Sequence, residues 1–445
     1  MKSKIRIQTV LAGLTAATLA GASLGAEGPV PRGVAHLDHV FLIMMENHAY
    51  GQVIGNPNMP FVNGYANHAN LAINYFAVGH PSLTNYLEIV GGSNFGVRDD
   101  NSPNWHSASC ATNLSNGFVS LESVSATICP IDGTGADAAT PPLDCTNEAS
   151  GNPATGVGCD IDVDGKVGFA AVTTTSGKTI ADQLVDYGLS WKAYEESLPP
   201  TGADRVNVAD GLFSNLNLIA IPPTPPATAS TSSNFTIAIP GAEETGTVGG
   251  TVQGLYAVKH NPFAYFANVE AGTDSRNSLK NMVGFDGSKG LFADLAKGSL
   301  PNLVYIVPNQ CHDQHGRSGA TSGPECASDP NDNGSLVGLN PALMYEGDAA
   351  LERLVTAIKS SPAWNRGNNA IVIVWDENDY SVNPTTNQVV LLVETNDQDS
   401  NGIKSDKFYT HFSLLKTMEA GFGLPCLNHA CDGSAEVMTD LFRRH

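Results

Sequence analysis

Two pairs of polar residues close apolar runs in this chain. Glu46-Asn47 follows His39-Val40-Phe41-Leu42-Ile43-Met44-Met45, and Asp376-Glu377 follows Ala370-Ile371-Val372-Ile373-Val374-Trp375. Alone, each pair reads as a solvated turn. Together, three carboxylates and an amide form an oxygen shell for one divalent cation, and such a shell favours calcium or magnesium over zinc. That ion would lower the pKa of a nearby hydroxyl and neutralise an anionic substrate. The hydroxyl on offer is Ser82, in Gly79-His80-Pro81-Ser82-Leu83-Thr84-Asn85-Tyr86-Leu87-Glu88-Ile89-Val90-Gly91-Gly92. Apolar residues at 83, 86, 87 and 90 share one helical face, the double glycine supplies a stop, and Ser82 falls where an N-cap belongs. It is either a structural cap or a hydroxyl facing free N–H groups and a positive dipole end, a place suited to an alkoxide and a phosphoryl group. Local sequence leaves both open. Histidines supply a third layer: His260 in Lys259-His260-Asn261-Pro262, then His312-Asp313-Gln314-His315 beyond Asn309, then His411. Any one alone is ordinarily a core residue. Several near strand ends fit a phosphate clamp and a leaving-group acid.

The elements that must position these groups follow from periodicity. The two apolar runs above, with Leu303-Val304-Tyr305-Ile306-Val307 before Pro308-Asn309, are nearly continuous, as strands buried on both faces should be. Val389 to Val393 makes a further candidate strand. Amphipathic helices are expected over Thr179 to Tyr187, Asp348 to Lys359 and His411 to Ala420. Alternating strands and helices predict an α/β fold with a mostly parallel central sheet flanked by helices. Ligands of such sheets lie beyond the strand C-termini, where the polar pairs fall.

Residues 1–26 read as a secretory signal: Lys2, Lys4 and Arg6 precede a short apolar run, with cleavage after Ala22 or Ala26. That run is short and weakly apolar for a membrane anchor, so a secreted or periplasmic protein without a stable membrane anchor is expected. Residues 27–445 read as a single domain with loop-rich insertions at about 93–175 and 215–252. A formal charge of −21 over 445 residues argues against nucleic-acid binding. An anionic substrate must then be met by local devices. Eight cysteines lie beyond the signal. Local disulfides are the simplest arrangement (Cys110 with Cys129, Cys145 with Cys159, Cys311 with Cys326, Cys426 with Cys431), and no C-x-x-C supports a zinc site. Asp160-Ile161-Asp162-Val163-Asp164-Gly165 mimics the start of a calcium loop, but Ala171 stands where the closing acid belongs.

Beyond these local readings, the chain resembles the bacterial and fungal phosphoesterase family of secreted acid phosphatases and phospholipase C enzymes, within the alkaline-phosphatase superfamily. The resemblance begins at Met45-Glu46-Asn47-His48 and is clearest at His80-Pro81-Ser82-Leu83-Thr84-Asn85-Tyr86-Leu87. It continues through Lys178-Thr179-Ile180-Ala181-Asp182, Lys259-His260-Asn261-Pro262-Phe263, Val374-Trp375-Asp376-Glu377 and Tyr409-Thr410-His411-Phe412. It implies that Ser82 is the nucleophile and that Asn85 binds phosphoryl oxygens. Glu46, Asn47, Asp376 and Glu377 would hold one divalent metal. His315 and His411 would be catalytic at the phosphate or leaving group, and His260, Asn309, His312 and Asp313 would bind substrate with Asn85. Thr84 stands where the family usually has proline, which leaves it a minor rival nucleophile, and Ala49 replaces a common serine. The implied activity is hydrolysis of phosphate monoesters through a phosphoserine, on a small molecule or a phospholipid headgroup. The alternatives are a phosphodiesterase or phospholipase C on the same scaffold. A sulfatase is disfavoured, since Ser82-Leu83-Thr84-Asn85-Tyr86 lacks the proline and arginine of a formylglycine motif. A non-enzymatic surface protein is disfavoured because Ser82, Asp376 and Glu377 are all present.

Overall fold

The computed structural model describes residues 27–97, 128–135, 174–198, 255–317, 324–329, 331–379, 387–397 and 401–442, with a few isolated residues and pairs between them, among them Asp100. The signal, the calcium-loop-like turn and most of both insertions lie outside the described residues.

Eight strands form the central sheet: β1 (His39–Met45), β2 (Asn70–Ala72), β3 (Trp191–Glu195), β4 (Met282–Val283), β5 (Leu303–Val307), β6 (Asn369–Trp375), β7 (Leu391–Thr395) and β8 (Lys404–Ser405). Their order across the sheet is β4-β3-β5-β1-β6-β7-β2-β8. The five strands from β4 to β6 run parallel. β7 runs antiparallel to both β6 and β2. The α/β class with a mostly parallel sheet is therefore as expected. β1, β5 and β6 are buried along almost their whole length, which is why they read as unbroken apolar runs rather than alternating ones.

Register does the positioning. Ile43 lies opposite both Ile306 of β5 and Ile373 of β6, and Met45 lies opposite Trp375. The next residues along these two strands are Glu46 and Asp376, and Asp376 N–H donates to Met45 O at 2.9 Å. The two polar pairs thus emerge side by side because their strands end level. β3 and β5 end level too, with Glu195 opposite Val307.

Among the described residues five helices have seven residues or more: α1 (Ser82–Gly91), α2 (Ile180–Asp186), α3 (Leu291–Lys297), α4 (Pro341–Ser360) and α5 (His411–Phe422). α1 closes on Gly92 in the left-handed region (φ 69°). A Cβ there would stand 2.5 Å from Leu427 O, so only glycine fits. All ten α1 residues are buried, not just the expected face, because α5 and the segment 258–266 cover its other sides. α4 starts seven residues earlier than its periodicity suggested. Asn340 accepts the Ala342 N–H at 3.1 Å and Pro341 occupies the first turn, a start signal of its own. β7 begins at Leu391 rather than Val389. Val389 and Val390 are equally buried but bond to Tyr75 and Trp375 ahead of the paired strand.

Two of the expected disulfides are present, Cys311–Cys326 and Cys426–Cys431. The other expected pairings involve Cys110, Cys145 and Cys159, outside the described residues. Among the described residues no helix is long and apolar enough to cross a membrane.

Because β1 sits at the sheet centre with Ile43 wholly buried, Ile43→Ala should cost about 2–5 kcal/mol of stability. A urea titration should show a lower midpoint with an unchanged m-value. A loss under about 0.5 kcal/mol would contradict the packing described.

Candidate active site

Ser82 is the first residue of α1, and Pro81 takes the N-cap position. The Ser82 hydroxyl makes no capping bond. It stands 3.1 Å from Glu46 Oε2 and 3.1 Å from Glu377 Oε1. The capping reading therefore fails here, and the hydroxyl faces the strand tips instead. Thr84 is oriented away: its Oγ1 donates to Pro81 O at 2.7 Å, leaving it turned into its own helix turn.

Asn85 lies one helical turn after Ser82, on the same side. Its Oδ1 accepts the N–H groups of Val78 (3.1 Å) and Gly79 (3.0 Å), which fixes the amide orientation. Its Nδ2 donates to Gly79 O at 2.7 Å and to Glu377 Oε2 at 2.9 Å. His80 Nδ1 is 2.9 Å from the same Glu377 oxygen. Glu377 is thus held from three sides.

Behind Glu46 the histidines form a second bank. His260 Nε2 lies 3.0 Å from Glu46 Oε1 and its Nδ1 lies 3.2 Å from Asp313 Oδ2. Tyr86 of α1 stacks on the His260 ring, with centroids 5.2 Å apart and planes 8° from parallel. Burial, then the nearby Lys259 and His315, hold His260 well below the usual histidine range, so it is neutral. His315 Nδ1 is 2.8 Å from Gly316 O and its Nε2 is 3.1 Å from Lys259 Nζ. The backbone carbonyl selects the tautomer with the proton on Nδ1, leaving Nε2 to accept from the ammonium. Lys259 Nζ also pairs with Asp100 at 3.0 Å.

The remaining candidates do not converge on Ser82. Asn309 Oδ1 accepts the N–H groups of Cys311 and His312, both at 3.1 Å, and its Nδ2 donates to Ser197. His312 Nδ1 lies 2.6 Å from Glu196 Oε2. Both side chains shape the loop that presents Asp313, whose carbonyl accepts the Glu46 N–H at 2.8 Å. His411, the first residue of α5, has both ring nitrogens engaged: Nδ1 with Tyr75 OH at 2.8 Å and Nε2 with Asp376 O at 2.5 Å. Its contacts are with the backbone that carries Asp376.

The donor set fits a divalent cation. Asp376 is wholly buried, and neither of its carboxylate oxygens has a hydrogen-bond partner. Burial, followed by the charges of Glu46 and Glu377, pushes it well above the usual carboxylate range. Burial likewise pushes Glu46 up to about 7, against the pull of Lys259. Ser82 has one proton to share between the Glu46 and Glu377 carboxylates. Asn47 follows Glu46 on the same strand end and is half-buried. A second group lies next door, where single donor atoms of His48, Asp329 and Asp332 come within 4.8 Å of one another. Its carboxylates are already satisfied: Asp332 accepts two bonds from Gln52 Nε2, and Asp329 accepts from His48 and Asn340. His48 Nδ1 in turn reaches Glu46 O at 3.0 Å, so this group braces the loop carrying Glu46 and Asn47. His48, Tyr86, Lys259 and Asp100 were not singled out by sequence reasoning. The first three stand inside or beside recognised motifs, whereas Asp100 carried no signal.

The sequence profile of the Phosphoesterase family matches residues 56–329, more than half of the chain, which therefore belongs to that family. Glu46 and Asp376 fall outside the matched span, and Ser82, His260 and Asp313 fall within it. The chain is 22% identical over 416 residues to an acid phosphatase of Aspergillus fumigatus, covering 93% of this chain and 61% of that relative. It is 23% identical to a probable acid phosphatase of Kluyveromyces lactis, covering 89% of this chain and 61% of the relative. A shorter stretch of 94 residues is 33% identical to a phosphatidylinositol-3-phosphatase of Mycobacterium tuberculosis, covering 20% of this chain and 31% of that protein. The chain thus spans about three-fifths of the length of the two fungal relatives.

Burial lowers His411 to about 4, against about 6.5 in the unfolded chain. Between these values the unfolded chain binds the proton first. The native state therefore loses stability as pH falls from about 6.5 toward 4, and is unaffected above that window. In metal-stripped protein, the stability gap between wild type and His411→Asn should narrow from pH 7 to pH 5, read by urea midpoints. A gap independent of pH would contradict a buried neutral His411.

Proposed function

We propose that this member of the phosphoesterase family is an exported, metal-dependent phosphatase that hydrolyses phosphate monoesters through a phosphoserine on Ser82. The observation that carries the reading is the placement of the Ser82 hydroxyl at the start of α1, 3.1 Å from carboxylates on two separate strand tips. Nothing structural is gained by that arrangement, since buried carboxylates without compensating charge are costly. The fungal acid phosphatases to which the chain is similar support the same reaction class.

Held by Glu46, Asn47, Asp376 and Glu377, a calcium or magnesium ion would neutralise phosphate charge and favour the ionised serine. Ser82 Oγ then attacks phosphorus in line. The Oγ–P bond forms as the bond to the leaving oxygen breaks, and the leaving oxygen takes up a proton. Glu46 Oε2 and Glu377 Oε1 are the nearest acceptors for the Ser82 proton. Asn85 Nδ2, its amide fixed by two backbone donors, would turn to a phosphoryl oxygen the N–H it now gives Glu377 Oε2, and the N-terminal end of the α1 dipole favours the same charge. His315 Nε2 accepts from the Lys259 ammonium and so orients that cation, while the leaving oxygen takes its proton from solvent, to which Glu46 or Glu377 passes the Ser82 proton. His260, with a single N–H when neutral, can donate to Glu46 or to Asp313 but not to both, and it lies between them. His411 acts through the Asp376 backbone as a positioning residue. Water then cleaves the phosphoserine and releases inorganic phosphate.

A phospholipid headgroup phosphate is a second substrate reading, supported by the similarity to the mycobacterial phosphatidylinositol-3-phosphatase. Export to a secreted or periplasmic location is supported by Cys311–Cys326 and Cys426–Cys431, bonds that persist in oxidising compartments.

Ser82→Ala should lower turnover of an aryl phosphate by several orders of magnitude, as loss of a covalent nucleophile does. Acid-quenched wild type should yield a phosphorylated peptide containing Ser82 by mass spectrometry. Thr84→Ala should stay within about tenfold of wild type. Near-normal activity of Ser82→Ala, or a phosphoryl group on Thr84, would sink the assignment.

A further inference from the structure

One carboxylate sits where the substrate's charge should go. Asp100 Oδ1 accepts the N–H of Leu83 at 3.0 Å, the peptide immediately after Ser82. Its Oδ2 accepts from Lys259 Nζ, also at 3.0 Å. The first is one of the open N–H groups of α1, a natural anion donor. The second is the cation beside the bank formed by His260 and His315. A single anionic group bridges both, and a phosphoryl group offers the same motif of two oxygens on one atom. Attachment differs across the pair. The Lys259 side chain is 11% exposed, so its ammonium is fixed in the pocket wall, while the Asp100 side chain is 29% exposed and lies on the solvent side.

We propose that Lys259 is the cation that binds the second negative charge of a phosphate monoester, and that Asp100 occupies this anion position until substrate displaces it. The proposal rests on the phosphatase reading and narrows its substrate class. A monoester carries two negative charges near neutral pH, whereas a diester carries one. Opposed carboxylates crowd the rest of the pocket. An ammonium on the Leu83 side therefore rewards the dianion over the monoanion, so the pair sets a preference for monoesters over diesters. Displacement of Asp100 exposes Lys259 and Leu83 N–H together, and on product release the carboxylate returns and competes with inorganic phosphate.

The test compares 4-nitrophenyl phosphate with bis(4-nitrophenyl) phosphate, alongside calorimetric binding of inorganic phosphate to the metal-loaded protein. Lys259→Met should lower kcat/KM for the monoester by about 100-fold but for the diester by less than about 10-fold, and Lys259→Arg should restore part of the preference. Asp100→Asn should tighten phosphate binding by about 3-fold or more, because the competing charge is gone. Equal losses on both esters, or phosphate binding by Asp100→Asn that is unchanged or weaker, would overturn the proposal. A purely structural latch predicts the latter, since breaking it would loosen the pocket. Should Lys259→Met fail to fold, Lys259→Arg and Asp100→Asn decide the matter. Should wild type hydrolyse neither ester, the phosphatase reading fails, and the phosphate-binding arm still judges the roles of Lys259 and Asp100.

Discussion

Carboxylates buried together at neighbouring strand tips are the constraint around which this molecule is arranged. Glu46, Asp376 and Glu377 emerge from adjacent parallel strands into a region closed to water, where ionised carboxylates repel one another and cannot be solvated. Both oxygens of Asp376 are left without a hydrogen-bond partner. Nearby groups moderate this only in part. Lys259 lowers the carboxyl pKa values of Glu46 and Asp376, while His80 and Asn85 hold Glu377. A fold that merely needed stability would replace such a cluster with apolar side chains. Its place at the end of a sheet otherwise packed with valine and isoleucine is what the proposed metal site rests on.

The scaffold converts that constraint into geometry. Parallel register brings Met45 and Trp375 opposite one another, so the residues that follow are neighbours whatever their side chains. α1 then lays its N-terminus against the strand ends, and the loop after β5 supplies Asp313 and His315. Outer supports fix the inner groups: His48 on the Glu46 carbonyl, His411 on the Asp376 carbonyl, and Tyr86 against the His260 ring. Each inner side chain is thus located by a neighbour that itself has little freedom, as preorganised sites require.

Local physics made much of this legible in the sequence. β1, β5 and β6 were readable because strands buried on both faces must be apolar throughout, and their polar tips were readable because ligands of parallel sheets bind there. Ser82 was visible through the amphipathic run behind it, but whether its hydroxyl caps the helix or faces the carboxylates depends on groups 36 and 295 residues away. The same limit hid Asp100, whose partners Leu83 and Lys259 are remote in the chain. Histidines showed it most clearly. His260, His312, His315 and His411 look alike locally, yet His312 is bound to Glu196 and His411 to the Asp376 backbone, and only His260 and His315 stand in the bank behind Glu46. Partner identity, not residue type, separates a site histidine from a scaffold one.

The central claim is that the carboxylates around Ser82 exist to hold a divalent ion, and its most direct test is metal stoichiometry. Wild type and Asp376→Asn would be dialysed against calcium and, separately, magnesium, then assayed for bound metal by plasma mass spectrometry with folding checked by circular dichroism. The account predicts one ion per wild-type chain and an occupancy below about a tenth of that in folded Asp376→Asn. Equal occupancy in the two proteins, or none in an active wild type, would contradict it.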